Sequence, residues 1–276
     1  MSEEAMRIKN VVLIASGKGG VGKSTVAVNV ALALAKAGLA TGLLDADVYG
    51  PSIPTMLGEV EPPRPAGDKR IHPIEKHGLR LISMGYFVDP ATAMVWRGPM
   101  LAGAVTQLME DVEWGELDYL VLDLPPGTGD VQLTVAQKFK VSGALLVTTP
   151  QTVALADVVR AKSMFDRVQV HTLGLVENMS GFVCPSCNAR HELFSHGGGE
   201  RIAAELGIPF LGGVPLEQGV RESGDAGEPI LVAHPESASA QAFARVAAEL
   251  RRLVEARNAE LAAAEKRRGG LRIVND

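Results

Sequence analysis

The chain has 276 residues, 46% hydrophobic and 21% charged, which excludes a disordered chain and is long enough to bury one large core. Lys plus Arg number 27 against 32 Asp plus Glu, a formal charge of −5, which argues against a broad nucleic-acid or anionic-membrane surface. Two cysteines cannot form a disulfide framework, no run reaches the roughly 18 apolar residues of a membrane span, and the acidic start lacks a signal peptide's basic n-region, so the expectation is a cytoplasmic protein without membrane or nucleic-acid partners.

Strand, loop and helix alternate along the chain. Residues 11–15 (Val-Val-Leu-Ile-Ala) form a short β-branched run ending at Gly17, followed by a helical stretch over 23–36 that Gly38 closes. A second strand over 41–44 ends in Asp45 and Asp47. Pro62, Pro63, Pro65 and Gly67 mark a loop, with short strands expected around 70–74 and 79–84, split by His77-Gly78. Leu101, Val105, Leu108, Met109 and Val112 recur at helical spacing. Buried strands follow at 117–122, 144–147 and 173–176, the last two linked by a helix over 155–168. A helix at 199–206, a strand at 210–214 and a C-terminal helix at about 236–268 complete the pattern. Continuous apolar strands alternating with helices predict an α/β fold, a mostly parallel central sheet with helices on both faces, read as a single domain over 1–276.

Gly17-Lys18-Gly19-Gly20-Val21-Gly22-Lys23-Ser24 fits the phosphate-binding loop G-x-x-x-x-G-K-[ST] between a strand and a helix. Its glycines let backbone N–H groups converge on phosphate, and the helix N-terminus adds positive potential. Lys23 faces the β/γ-phosphates, Ser24 can ligate Mg²⁺, and Thr25 closes the loop. Asp123 ends an apolar strand at the sheet's carboxyl edge, the place for a magnesium-side carboxylate, and Leu124-Pro-Pro-Gly-Thr-Gly-Asp130 suits a γ-phosphate sensor. Asp130 could equally cap a helix.

Lys18, directly after the first glycine, makes the loop resemble the deviant loop of the MinD/ParA class of P-loop ATPases. The resemblance implies a nucleotide-sandwich homodimer in which Lys18 reaches the partner's nucleotide. It also implies that Asp47 polarises the attacking water, that Asp45 supports it, and that Asn178 reads adenine.

Cys184-Pro-Ser-Cys187 places two sulfurs at metal-binding spacing in a polar loop. A dithiol redox pair, a zinc site recruiting His191 and His196, and a site shared across a two-fold dimer all fit the spacing. The phosphate loop, Asp45-Ala-Asp-Val-Tyr-Gly-Pro-Ser52, Asp123-Leu-Pro-Pro-Gly-Thr-Gly-Asp130, Glu177-Asn-Met-Ser180 and the cysteine pair together resemble the Mrp/ApbC-type iron–sulfur carrier ATPases. That resemblance implies an ATP-hydrolysing carrier, with ATP and Mg²⁺, that holds a [4Fe–4S] cluster between the Cys184 and Cys187 pairs of two subunits and hands it to apo-proteins. Some members carry an extra N-terminal domain, and eukaryotic cytosolic relatives an N-terminal cysteine set. Neither is expected here, where about ten residues precede the first strand. A membrane-positioning ATPase would need bulky anchors that the alanine-rich tail lacks, and a zinc-bridged targeting ATPase a large apolar insertion.

Overall fold

The computed structural model describes residues 7–59, 61–67, 69–88, 98–127, 129–184, 187, 189–194 and 197–269. The sheet contains β1 (Arg7–Ala15), β2 (Thr41–Asp45), β3 (Ile74–Lys76), β4 (Leu79–Ser83), β5 (Glu116–Asp123), β6 (Gly143–Thr148), β7 (Thr172–Val183), β8 (Arg190–His191) and β9 (Phe210–Leu216). Their order is β3-β4-β2-β5-β1-β6-β7-β8, with β9 also pairing β7. Pairing is parallel except at β3 and β8, which are short antiparallel additions.

The helices are α1 (Lys23–Lys36), α2 (Ile53–Met56), α3 (Gly98–Asp111), α4 (Asp130–Lys138), α5 (Thr152–Arg167), α6 (Gly198–Leu206), α7 (Gln218–Asp225), α8 (Ile230–Ala233) and α9 (Ala238–Gly269). The two-residue period of β1 divides them between two cores. Val12 and Ile14 face a layer containing Val26, Val30, Leu34, Phe243, Val246 and Leu250, from α1 and α9. Val11, Leu13 and Ala15 face Leu101, Val105, Val131, Val158 and Phe165, from α3, α4 and α5. A sheet covered on both faces needs apolar residues at every strand position, and β6 is buried throughout. No helix among the described residues is long and apolar enough to cross a membrane.

Three expectations are corrected. The strand expected around 70–74 is reduced to isolated bridges from Ile71 to Pro65 and to Val112, and the regular strand begins at Ile74. The strand expected to end at Val176 runs on to Val183. Its left-handed Met179 (φ 58°) and Gly181 (φ 81°) break the alternation that would have revealed its length. Asp130 is not a cap. Gly129 holds the N-cap position of α4, and Asp130 lies in the first turn, where its charge favours the helix dipole.

Candidate nucleotide site and thiol hairpin

Parallel register brings the site together. Asp45 lies opposite Ser83 on one side and Asp123 on the other, and Ile14 pairs with Asp123. The ends of β1, β2, β4 and β5 therefore meet at one carboxyl edge, where α/β sheets bind ligands.

The phosphate loop leaves β1 there and turns into α1. Gly22 occupies the N-cap position with φ 77° and contributes no side-chain cap, and the first turn of α1 holds no acid. The first amides of α1 are thus left for an anion. A Cβ at Gly22 would sit 2.1 Å from Asn178 Nδ2, so both conformation and space demand glycine. The Asn178 amide donates to the Val21 carbonyl at 2.9 Å and thereby braces the loop from β7. Lys18, Lys23, Ser24, Thr25, Asp47 and Pro126 help line a hollow of about 240 Å³ over the loop.

Lys23 is buried and its ammonium lies 2.6 Å from Asp123 Oδ1 and 3.5 Å from Asp47 Oδ2. One cation faces two carboxylates, with Asp45 behind them. The Asp47 amide donates to Asp45 Oδ1 at 3.1 Å, and the Ser83 hydroxyl donates to Asp45 Oδ2 at 2.8 Å. Burial, reinforced by the charge of Asp123, pushes the Asp45 carboxyl up to about 7. Burial also raises Asp123, against the pull of Lys23 and the Ser24 hydroxyl. Asp123 Oδ2 and Asp47 Oδ1 are buried without a hydrogen-bond partner. Two orphaned carboxylate oxygens beside the Ser24 hydroxyl are a donor set suited to Mg²⁺ and its waters, since this ion takes oxygen ligands and keeps part of its hydration. Lys18 is half-buried and forms no ion pair among the described residues.

Two contributors escaped the sequence reading. Ser83 fixes Asp45, and its one available signal was its place near the end of the strand expected around 79–84. Gln132, fully buried, donates to the Pro125 carbonyl at 2.8 Å and to the Gly127 carbonyl at 3.1 Å. Gly127 N–H in turn donates to the Ser16 carbonyl at 2.9 Å. The segment after Asp123 is thus tied to α4 on one side and to the root of the phosphate loop on the other.

Cys184 and Cys187 lie at the tip of the β7–β8 hairpin. Phe182 pairs with His191, Val183 with Arg190, and Cys184 N–H closes the turn on the Ala189 carbonyl at 2.9 Å. Neither cysteine forms a disulfide, and Cys187 is exposed. Because β7 runs parallel to β1, its far end projects from the sheet edge that carries the phosphate loop. His191 stacks tilted against Phe182, with ring centroids 6.4 Å apart. Among the described residues no three His, Cys, Asp or Glu side chains form a metal-holding group; His196 lies outside those residues.

The family model described as ParA, NUBPL iron-transfer P-loop NTPase, matches residues 7–251. An iron–sulfur cluster carrier protein of Synechocystis is 52% identical over 88% of this chain and 70% of its own length. A mitochondrial iron–sulfur protein required for NADH dehydrogenase in Arabidopsis thaliana is 50% identical over 86% of this chain and 76% of its own length. Among solved structures, a nucleotide-binding protein of Archaeoglobus fulgidus in complex with ADP matches with a TM-score of 0.73 and 36% identity, covering 84% of this chain and 91% of that one. The cell-division ATPase MinD of Pyrococcus furiosus, at 22% identity, TM-score 0.65, and coverage of 89% of this chain and 99% of its own, shares the fold. With its phosphate loop, its edge carboxylates and a match over most of its length, the chain belongs to the ParA family of iron-transfer P-loop NTPases.

Proposed function

We propose that this protein is an ATP-dependent iron–sulfur cluster carrier. The observation that carries the reading is the pair of cysteines at an exposed hairpin tip, on the strand that also braces the phosphate loop. Relatives about half identical bear the name of cluster carriers, and the orphaned oxygens at Asp47 and Asp123 suit Mg-ATP.

In this reading the loop amides and Lys23 hold the β/γ-phosphates. Ser24 and Asp123 would hold Mg²⁺, which would supply charge neutralisation at the phosphates. With Asp123 committed to that ion, Lys23 would exchange its carboxylate partners for phosphate. Asp47, freed from Lys23 but still held through its amide by Asp45, orients the water that attacks the γ-phosphate. Lys18, with no ion pair among the described residues, is available to a second subunit's nucleotide.

The cargo is held as thiolate ligands hold any cubane. One chain offers two sulfurs at the hairpin and a [4Fe–4S] cluster takes four, so a homodimer completes the set. Such a bridging cluster sits at a subunit seam, which suits a donor to apo-proteins. The test is anaerobic reconstitution with ferrous iron and sulfide, followed by absorption spectroscopy and metal analysis. A broad band near the visible–ultraviolet boundary with iron and sulfide bound supports the reading. Tightly bound zinc and no iron–sulfur chromophore would overturn it in favour of a zinc-bridged ATPase.

A further inference from the structure

The carrier reading leaves one buried carboxylate without a task. Glu177 is almost wholly inaccessible and lies on β7 immediately before Asn178. Its Oε2 accepts the Gly199 N–H at 2.6 Å, at the start of α6, and its Oε1 accepts the Ser180 hydroxyl at 2.7 Å. A buried carboxylate is retained at a cost unless its bonds hold something in place.

What these bonds hold is a bend. Between Asn178 and Phe182 the pairing of β7 with β9 slips register. Inside that slip Met179 adopts φ 58°, a conformation that a residue with a Cβ keeps only when its surroundings impose it. Ser180 is pressed onto β9 as well, since a Cβ at Gly213 would come within 2.6 Å of its Oγ. Gly199 is equally close to Glu177, a Cβ there meeting the Glu177 Cβ at 2.9 Å. Immediately before the bend, Asn178 grips the phosphate loop at Val21; immediately after it, Phe182 and Val183 open the hairpin that ends in the cysteines.

We propose that Glu177 and Ser180 form a latch that makes β7 a rigid connection between the two sites, so that phosphate-loop movement at Val21 resets the pose of the thiol hairpin. Glu177 and Ser180 are positioning residues. They touch neither nucleotide nor cargo, and act by fixing the angle at Met179. The inference rests on the carrier reading only for what the thiols hold. The link itself concerns the nucleotide and the hairpin.

The test is hydrogen exchange on the full chain, with and without Mg²⁺ and a non-hydrolysable ATP analogue, comparing wild type with Glu177→Gln and Ser180→Ala. In wild type, the amides of 182–191 change exchange rate by about fivefold or more on nucleotide binding, the range of ordinary inter-site coupling. In the variants nucleotide affinity persists, but that response at the hairpin falls toward none. Ser180→Ala removes one half-buried hydroxyl and serves as the folded variant should Glu177→Gln unfold. A wild-type hairpin indifferent to nucleotide, or variants that respond as wild type does, overturns the latch. A wild-type chain whose hairpin responds but which takes up no iron–sulfur cluster supports the latch and refutes the carrier reading.

Discussion

Replacing Asp45 with Asn isolates the cost of crowding acids around Lys23. Asp45 is wholly buried and its carboxyl is raised from 3.8 to about 7, first by desolvation and then by Asp123. An acid whose folded-state value exceeds its unfolded one stabilises the fold when protonated, and that contribution is present below about pH 4 and lost as pH rises through about 7. At about 1.4 kcal/mol per unit, keeping Asp45 ionised costs on the order of 4 kcal/mol above neutrality. The asparagine keeps the shape, still accepts the Asp47 amide, and can reverse its bond to Ser83, so the substitution removes mainly the charge. Urea denaturation of the nucleotide-free chain at pH 6 and pH 8.5 reads the effect. The Asp45 contribution to wild-type stability falls by on the order of 1 kcal/mol across that window, because the folded state gives up one proton that the unfolded state has already lost. Asp45→Asn lacks that fall and is the more stable of the two at pH 8.5. Parallel pH profiles for the two proteins would refute the claim that an ionised Asp45 is held at a cost.

Lys23→Ala abolishes ATP binding, since it removes the phosphate-facing cation and leaves Asp47 and Asp123 opposed; Lys18→Ala retains binding and loses turnover, and equal loss of affinity in both variants, measured by titration calorimetry, would remove the distinct role of Lys18. Asp47→Asn keeps Mg-ATP affinity and slows hydrolysis by about 100-fold or more in a phosphate-release assay, as expected for a water-orienting group; unchanged turnover would reduce Asp47 to a strand-end acid. Gly22→Ala, forced against Asn178 at positive φ, loses nucleotide binding and about 1–2 kcal/mol of stability by denaturant titration, the scale of a non-glycine residue in the left-handed region; wild-type behaviour would mean the loop is not braced by β7.

The phosphate loop and Asp45, Asp47 and Asp123 were legible because their chemistry is local: each sits within a few residues of a strand end, and strand ends of a parallel sheet meet at one edge. Ser83 and Gln132 were not, because their worth comes from register. Nothing near Ser83 in sequence announces that β4 will pair with β2 and set it beside Asp45. The length of β7 was hidden by its own bend, since the left-handed Met179 breaks the alternation on which strand reading depends. For the same reason the strand expected over 173–176 stops short of Asn178, which lies mid-strand with its amide bonded to the phosphate loop. Helix α7 holds one large apolar residue, Val220, and buries only Ser223, and α8 is four residues long, so pattern alone could not announce them.

Iron content and mass of the reconstituted protein, measured together by metal analysis and light scattering under anaerobic conditions, decide whether two chains share one cluster. The wild type should hold close to four irons per dimer, since in the proposed carrier two chains would each supply Cys184 and Cys187 to one cubane. Cys187→Ala should lose cluster and cluster-dependent dimer together while still binding ATP through Lys23. A monomer holding a full cluster, or a Cys187→Ala dimer that keeps its iron, would contradict the shared cluster.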